Sequence, residues 1–205
     1  MTDSGRSNNQ GFLSGEKPAL LIIDMVKDNL EPEHPLPITE AANRITGTIN
    51  SLVAVCRDRS WPVIFSTDAY HENDFIFTGR MQPHSLAGTR GAEITGSLDY
   101  RPGTDTWLPK PRFSAFFQTG LEESLRDQEV TLCAVAGITT NFCVLATVLD
   151  AICHGFKAVL LEDCSAAYPE INHERTVEMY RKNPLYPLLS VGKSTELSTN
   201  KRDWL

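Results

Sequence analysis

The chain has 205 residues, 41% of them hydrophobic and 22% charged, with a formal net charge of −7. That length and balance suit one globular domain with a sizeable core and exclude disordered and collagen-like classes. The acidic surplus, with no basic stripe interleaved with aromatics, argues against nucleic acid or an anionic membrane surface as partner.

The longest apolar run, around Ala19 to Ile23, is far too short to span a bilayer. Residues 1–16 are polar and lack the apolar middle of a signal peptide. They are expected to form a flexible tail, leaving 17–205 as a single domain and the cytoplasm as its compartment. Cys56, Cys133, Cys143, Cys153 and Cys164 form no C-x-x-C pair and no zinc-finger spacing with histidine, so free thiols are expected.

Pro18–Asp24 is a continuous apolar run closed by a carboxylate, which predicts a strand buried on both faces. Ile45, Ile49, Leu52, Val53 and Cys56 recur at helical spacing and predict a helix over 40–59, with Thr39 as its N-cap. Pro62–Thr67 predicts a second strand, ending near Asp68. Residues 69–107 are rich in Gly and Pro and predict a long irregular excursion, of the kind that usually carries function. A helix is expected near Gly120–Asp127, a strand over Val130–Ala136, and a break at Gly137. A helix follows from about Asn141 to Cys153, then a strand at Phe156–Leu161, a helix at His173–Lys182 and a strand at Leu185–Val191. This alternation predicts a three-layer α/β/α fold with a central, mainly parallel, Rossmann-like sheet. Ligands of such sheets bind beyond the carboxyl ends of the strands, where Asp24, Asp68 and the GITTNFC turn fall.

Three residues there carry chemistry. Cys143 is expected in the first turn of a helix capped by Asn141 or Thr140. Free N–H groups and the helix dipole at such a place lower a thiol pKa and can hold an oxyanion. Asp24 ends an apolar strand, where partial desolvation raises a carboxyl pKa and suits it to take a proton. Lys110 sits amid Trp107, Leu108, Pro109 and Phe113 and is a candidate for burial beside a carboxylate. The ordinary roles compete with each reading: a buried structural cysteine, a solvated turn aspartate, a lysine whose stem lies along the surface.

The ordered set LLIIDMVKD (20–28), PVIFSTD (62–68), HSLAGTRGAEI (84–94), KPRFSAFFQTGL (110–121), AGITTNFCVLATVLDA (136–151) and LLEDCSAA (160–167) resembles the isochorismatase-like cysteine hydrolases. That family includes nicotinamidases and N-carbamoylsarcosine amidohydrolase. The resemblance implies Asp24 as base, Lys110 as the cation beside it and Cys143 as nucleophile toward an amide carbonyl, by way of a thioester. It also implies a cis peptide at Ile138–Thr139, with the N–H groups of Thr139 and Cys143 as oxyanion donors, and a dimer or higher homo-oligomer. The apolar surface of the 141–153 helix points to self-association as well.

The departures shape the remaining expectations. Nicotinamidases carry an Asp-x-His pair and a later His as metal ligands. Asp68 and His84 match the first and last, but Tyr70 stands where the middle one should be and His71 is one residue late. Asp68 and His84 are therefore vestigial candidates, and no metal or other cofactor is expected. Asn29 stands where an aromatic is usual and Asn141 where an aspartate is usual; with Phe113 they form the expected pocket, suited to an amide smaller or more polar than nicotinamide. The alternatives are a metal-dependent nicotinamidase variant and a non-catalytic, redox-sensing thiol protein on the same scaffold.

Overall fold

The computed structural model describes residues 15–33 and 35–198. The expected tail lies outside them except for Gly15 and Glu16, and the Glu16 carboxylate binds Lys157 and accepts from the Thr131 hydroxyl at 2.6 Å.

The elements run β1 (Pro18–Ile23), α1 (Lys27–Leu30), α2 (Thr39–Asp58), β2 (Val63–Asp68), β3 (Thr106–Lys110), α3 (Leu121–Asp127), β4 (Leu132–Ile138), α4 (Leu145–Cys153), β5 (Lys157–Ala166), α5 (Glu170–Arg181), β6 (Leu189–Gly192) and α6 (Ser194–Ser198). The sheet has six strands in the order β3-β2-β1-β4-β5-β6, and every neighbouring pair is parallel. Among the described residues no helix is long and apolar enough to cross a membrane.

Side chains of a strand alternate between the faces of its sheet. In β1, Leu20 and Ile22 join Ile45, Ile49, Leu52 and Val53 of α2 on one face. Ala19, Leu21 and Ile23 join Leu121 and Leu125 of α3 and Val148 and Ala151 of α4 on the other. These two clusters make the three layers. They explain why β1 reads as an unbroken apolar run: helices cover both sides of it.

Some boundaries differ from the sequence reading. β3 begins at the end of the stretch read as irregular and runs on where no strand was expected; it is an edge strand whose first four residues are exposed or half-buried, so it lacks the signature of a covered strand. Thr39 does not cap α2. Ile38 holds the N-cap, while the Thr39 hydroxyl accepts from Leu36 N and donates to the Asn29 carbonyl at 2.8 Å. The excursion from Ala69 to Asp105 is fixed by polar ties (Lys27 to Glu93, Glu31 to Thr95 and Gly96, Arg57 to Asp99 and Asp105) and by Leu98, Ile94 and Tyr100, which pack on the α2 face of the core.

Gly137, near the end of β4, has φ +108, and a Cβ there would lie 2.1 Å from the Ile23 carbonyl oxygen. No larger residue fits without parting β1 from β4 just where the strands open onto the site. Gly137→Ala is therefore expected to destabilise the fold by about 2–4 kcal/mol, from backbone strain and overpacking together. Urea denaturation measures this; a change below about 0.5 kcal/mol would contradict the packing described.

Candidate active site

β1 lies between β2 and β4, and β3 lies outside β2. Four neighbouring strands thus deliver Asp24, Asp68, Lys110 and, one turn later, Cys143 to the same end of the sheet. This is the switch point of an open parallel sheet, where the strand ends leave a crevice. Asp68 and Lys110 are paired residues in the β2–β3 register, and Asp24 N donates to Ser66 O at 2.9 Å.

Lys110 is 0% exposed, Asp24 3% and Cys143 8%. Lys110 Nζ donates to Asp24 Oδ2 at 3.0 Å and to Asp68 Oδ1, and Asp68 N donates to Asp24 Oδ1 at 2.8 Å. Asp24, Asp68 and Cys143 each offer an atom within 4.8 Å of the others, so the thiol lies beside both carboxylates. The structure therefore brings together all three residues expected to carry the chemistry. It adds Asp68, which the sequence reading held only as a metal candidate.

Asp24 has φ +54, a left-handed conformation that aspartate tolerates better than most residues. Its carbonyl accepts from Val26 N at 2.9 Å and from Asn29 Nδ2 at 3.1 Å. Asn29 lines the pocket as expected, but its amide N–H holds the backbone of Asp24 in this bend.

Cys143 rides on a π-type turn, Thr140–Val144, between β4 and α4. The N–H groups of Phe142 and Val144 both donate to the Thr139 carbonyl, at 3.0 and 3.3 Å. The Ile138–Thr139 peptide is cis. On the inner side, the fully buried Thr147 hydroxyl donates to the Cys143 carbonyl at 2.8 Å and accepts from Ala115 N at 3.1 Å. The expected side-chain cap is absent: Thr139 is the N-cap with no side-chain bond, and the Thr140 hydroxyl meets His173 instead.

The electrostatics correct a second expectation. Burial, then the Asp24 carboxylate, push the Cys143 thiol well above its ordinary value; Lys110 opposes them and Asp68 adds to the rise. The dipole of a helix end does not make this a ready thiolate, because the thiol is enclosed and faces two carboxylates. Burial and the Asp68 charge likewise push Asp24 up to about 7, against Lys110. Burial works against the charge on Lys110, yet the Asp24 and Asp68 carboxylates outweigh it and hold the amine cationic. Burial thus keeps the proton on the thiol, and the Asp24 carboxyl beside it is raised toward neutral pH.

Asp24, Asp68 and Cys143, but not Lys110, line the floor of a cavity of about 190 Å³, walled by Ile38, Tyr70, Met81, Phe113 and Phe142, with Asn29 and His84 at its sides. Phe113 and Phe142 meet edge to face, centroids 6.0 Å apart, and Phe142 is 59% exposed. Asn141 is not among the lining residues; the turn directs its neighbour Phe142 there. The walls are thus more apolar than Asn29 and Asn141 suggested. Phe116, three residues on from Phe113, is buried away from the cavity and stacks on His154, centroids 5.0 Å apart.

The donors do not fit a metal ion. Both carboxylates of the cluster already touch the Lys110 ammonium, which would repel a cation. His84 reaches the cavity, but its Nδ1 lies 2.9 Å from the Gln82 carbonyl and the histidine is not part of the cluster.

With this geometry in view, the chain can be set beside known proteins. Residues 18–190 match the isochorismatase domain. The chain belongs to this family. The maleamate amidohydrolase of Pseudomonas putida is 30% identical, over 78% of this chain and 80% of that protein. The structure of nicotinamidase PncA from Bacillus subtilis superposes with a TM-score of 0.72 at 29% identity, covering 86% of this chain and 99% of that one. N-carbamoylsarcosine amidase from Thermoplasma acidophilum gives 0.74 at 25% identity, covering 87% and 96%. The named enzymes among these family members are amidohydrolases.

Replacing Lys110 with Met leaves Asp24 and Asp68 buried and facing each other with no cation. Removing one partner of a buried ion pair costs about 3–5 kcal/mol. The loss should be greatest above pH 7 and shrink toward pH 5: a carboxyl whose folded pKa is raised favours folding at low pH and loses that contribution as pH rises through the folded value. Denaturation at pH 5 and pH 8 tests this. A loss independent of pH would show that the charge triangle does not dominate the site.

Proposed function

We propose that this protein hydrolyses a small amide or carbamoyl compound through a thioester on Cys143. The observation that carries the reading is the Cys143 thiol lying within 4.8 Å of the Asp24 carboxylate, a carboxyl pushed up to about 7, with cationic Lys110 bonded to that carboxylate. An enclosed thiol needs a base in contact with it to react, and a base titrating near neutral pH is matched to that task.

In this mechanism Asp24 takes the thiol proton as sulfur attacks the carbonyl carbon. Lys110 offsets the negative charge now shared by sulfur and Asp68. The carbonyl oxygen, anionic in the tetrahedral intermediate, is received by the N–H groups of Thr139 and Cys143. Asp24 returns the proton to the departing nitrogen, and ammonia or an amine leaves. Water then attacks the thioester, with Asp24 accepting its proton, and the acid departs as the thiol is restored.

The relatives support the substrate class: each name denotes a compound in which a carbonyl carries nitrogen. The apolar walls suit a compact group on the far side of that carbonyl. The metal-dependent variant draws no support from the donors described. A redox-sensing role is disfavoured by burial, since sensor thiols are exposed and low in pKa.

Ammonia release across a panel of nicotinamide, a short aliphatic amide and a ureido compound tests the activity. Cys143→Ala should lower turnover at least about 10³-fold, and a stopped reaction should yield an acyl adduct on Cys143 by mass spectrometry. Turnover within about tenfold of wild type in that variant would overturn covalent catalysis.

The pH profile tests the base. Asp24 must be ionised to act, so kcat/KM should fall as pH drops through about 7, nearing tenfold per unit below it. An acid limb near pH 4 would exclude Asp24 in this role. Dialysis against a chelator should leave turnover unchanged; loss that zinc, iron or manganese restores would revive the metal-dependent alternative.

A further inference from the structure

The turn that bears Cys143 has a tie on its outer side that the mechanism above does not use. Thr140 is fully buried, and its Oγ1 lies 2.8 Å from Nδ1 of His173 on α5. Neither residue lines the cavity. The inner side of the turn is fixed by Thr147, which bridges the Cys143 carbonyl and Ala115 N. The outer side leans on α5 through the Thr140–His173 bond. Burial lowers the His173 pKa below the ordinary histidine value, against Glu162, Glu170 and Glu174, so the ring that meets Thr140 is neutral at pH 7.

We propose that His173 is a positioning residue: through its hydrogen bond to the buried Thr140 hydroxyl it fixes the turn that presents the Cys143 sulfur to Asp24. This rests on the reading of Cys143 as the nucleophile. The bond is short and joins a rigid helix to the residue three before the cysteine. A turn held on both sides keeps sulfur and base in register, whereas one released on its outer side lets them drift. Misplacing reacting groups by about 1 Å costs as much as about 10²-fold in rate.

The test compares Thr140→Val, Thr140→Ser, His173→Ala, His173→Asn and the Val/Ala double variant. Two readouts are taken: steady-state kinetics on the best amide, and the rate at which iodoacetamide labels Cys143, followed on its own peptide. Thr140→Val and His173→Ala should each lower kcat about tenfold with KM within about twofold. The double variant should be no worse than the poorer single one, because the two residues share one bond. Thr140→Ser keeps the hydroxyl, and the His173→Asn amide can reach it, so both should stay within about threefold of wild type. Labelling of Cys143 should slow in parallel with kcat.

Wild-type kcat in the Val and Ala variants, additive losses, or an Asn variant as impaired as Ala would overturn the proposal. Melting curves separate a misplaced turn from a lost fold; should His173→Ala fail to fold, the Val–Ser contrast at position 140 decides. If the wild type hydrolyses no amide, the proposed activity falls by itself. Labelling across the same variants then decides the positioning role, and equal rates would overturn it.

Discussion

The site depends on one ammonium group withheld from water. Lys110 reaches from the edge strand under the end of the sheet and meets Asp24 and Asp68, with no exposed surface left to it. An unpaired charge in that position would be strongly unfavourable, and so would either carboxylate without it. The three charges therefore specify one another's places. They lock the ends of β1, β2 and β3 into register, and they set the electrostatics into which Cys143 is brought.

The same enclosure explains how two carboxylates in one cluster differ. Asp68 sits opposite Lys110 in the β2–β3 register. Asp24 bends away from its strand at φ +54, accepts the amide of Asp68, and faces the thiol. One carboxylate balances the cation, while the other is the one that exchanges a proton in the proposed mechanism. Groups set side by side but unequally solvated and partnered can divide acid–base work in this way.

How much of this was legible in the sequence depended on burial. β1, β2, β4 and β5 announce themselves because each holds a run of buried apolar residues covered on both faces. β3 does not, since only its last residue is buried, and that residue is a lysine. Asp24, Lys110 and Cys143 could be singled out by position and by resemblance. The role of Asp68 could not, because it follows from a strand pairing that the sequence conceals. Asn141 and the expected caps were misplaced for one reason: a π-type turn shifts the helical phase by one residue, sending Phe142 to the pocket and Thr140 to His173. The low thiol pKa inferred from a helix end failed because a local dipole is weaker than full burial beside carboxylates. His173 carried no signal in the sequence, as its partner lies 33 residues away on another element.

The groups at the floor of the cavity and those of its walls have separate mechanical supports. The floor belongs to strand ends whose register is fixed across the sheet. The walls come from connecting segments: Ile38 before α2, Tyr70 and Met81 in the excursion, Phe113 after β3, and Phe142 on the turn. The excursion is fastened to α1 and α2 by ion pairs and hydrogen bonds, so an exposed pocket-facing residue such as Met81 can be exchanged with little disturbance to the layers beneath. A scaffold divided in this way lets the range of accepted molecules diverge while the proton-handling apparatus stays fixed, so descendants of one ancestor can keep a reaction and change its object.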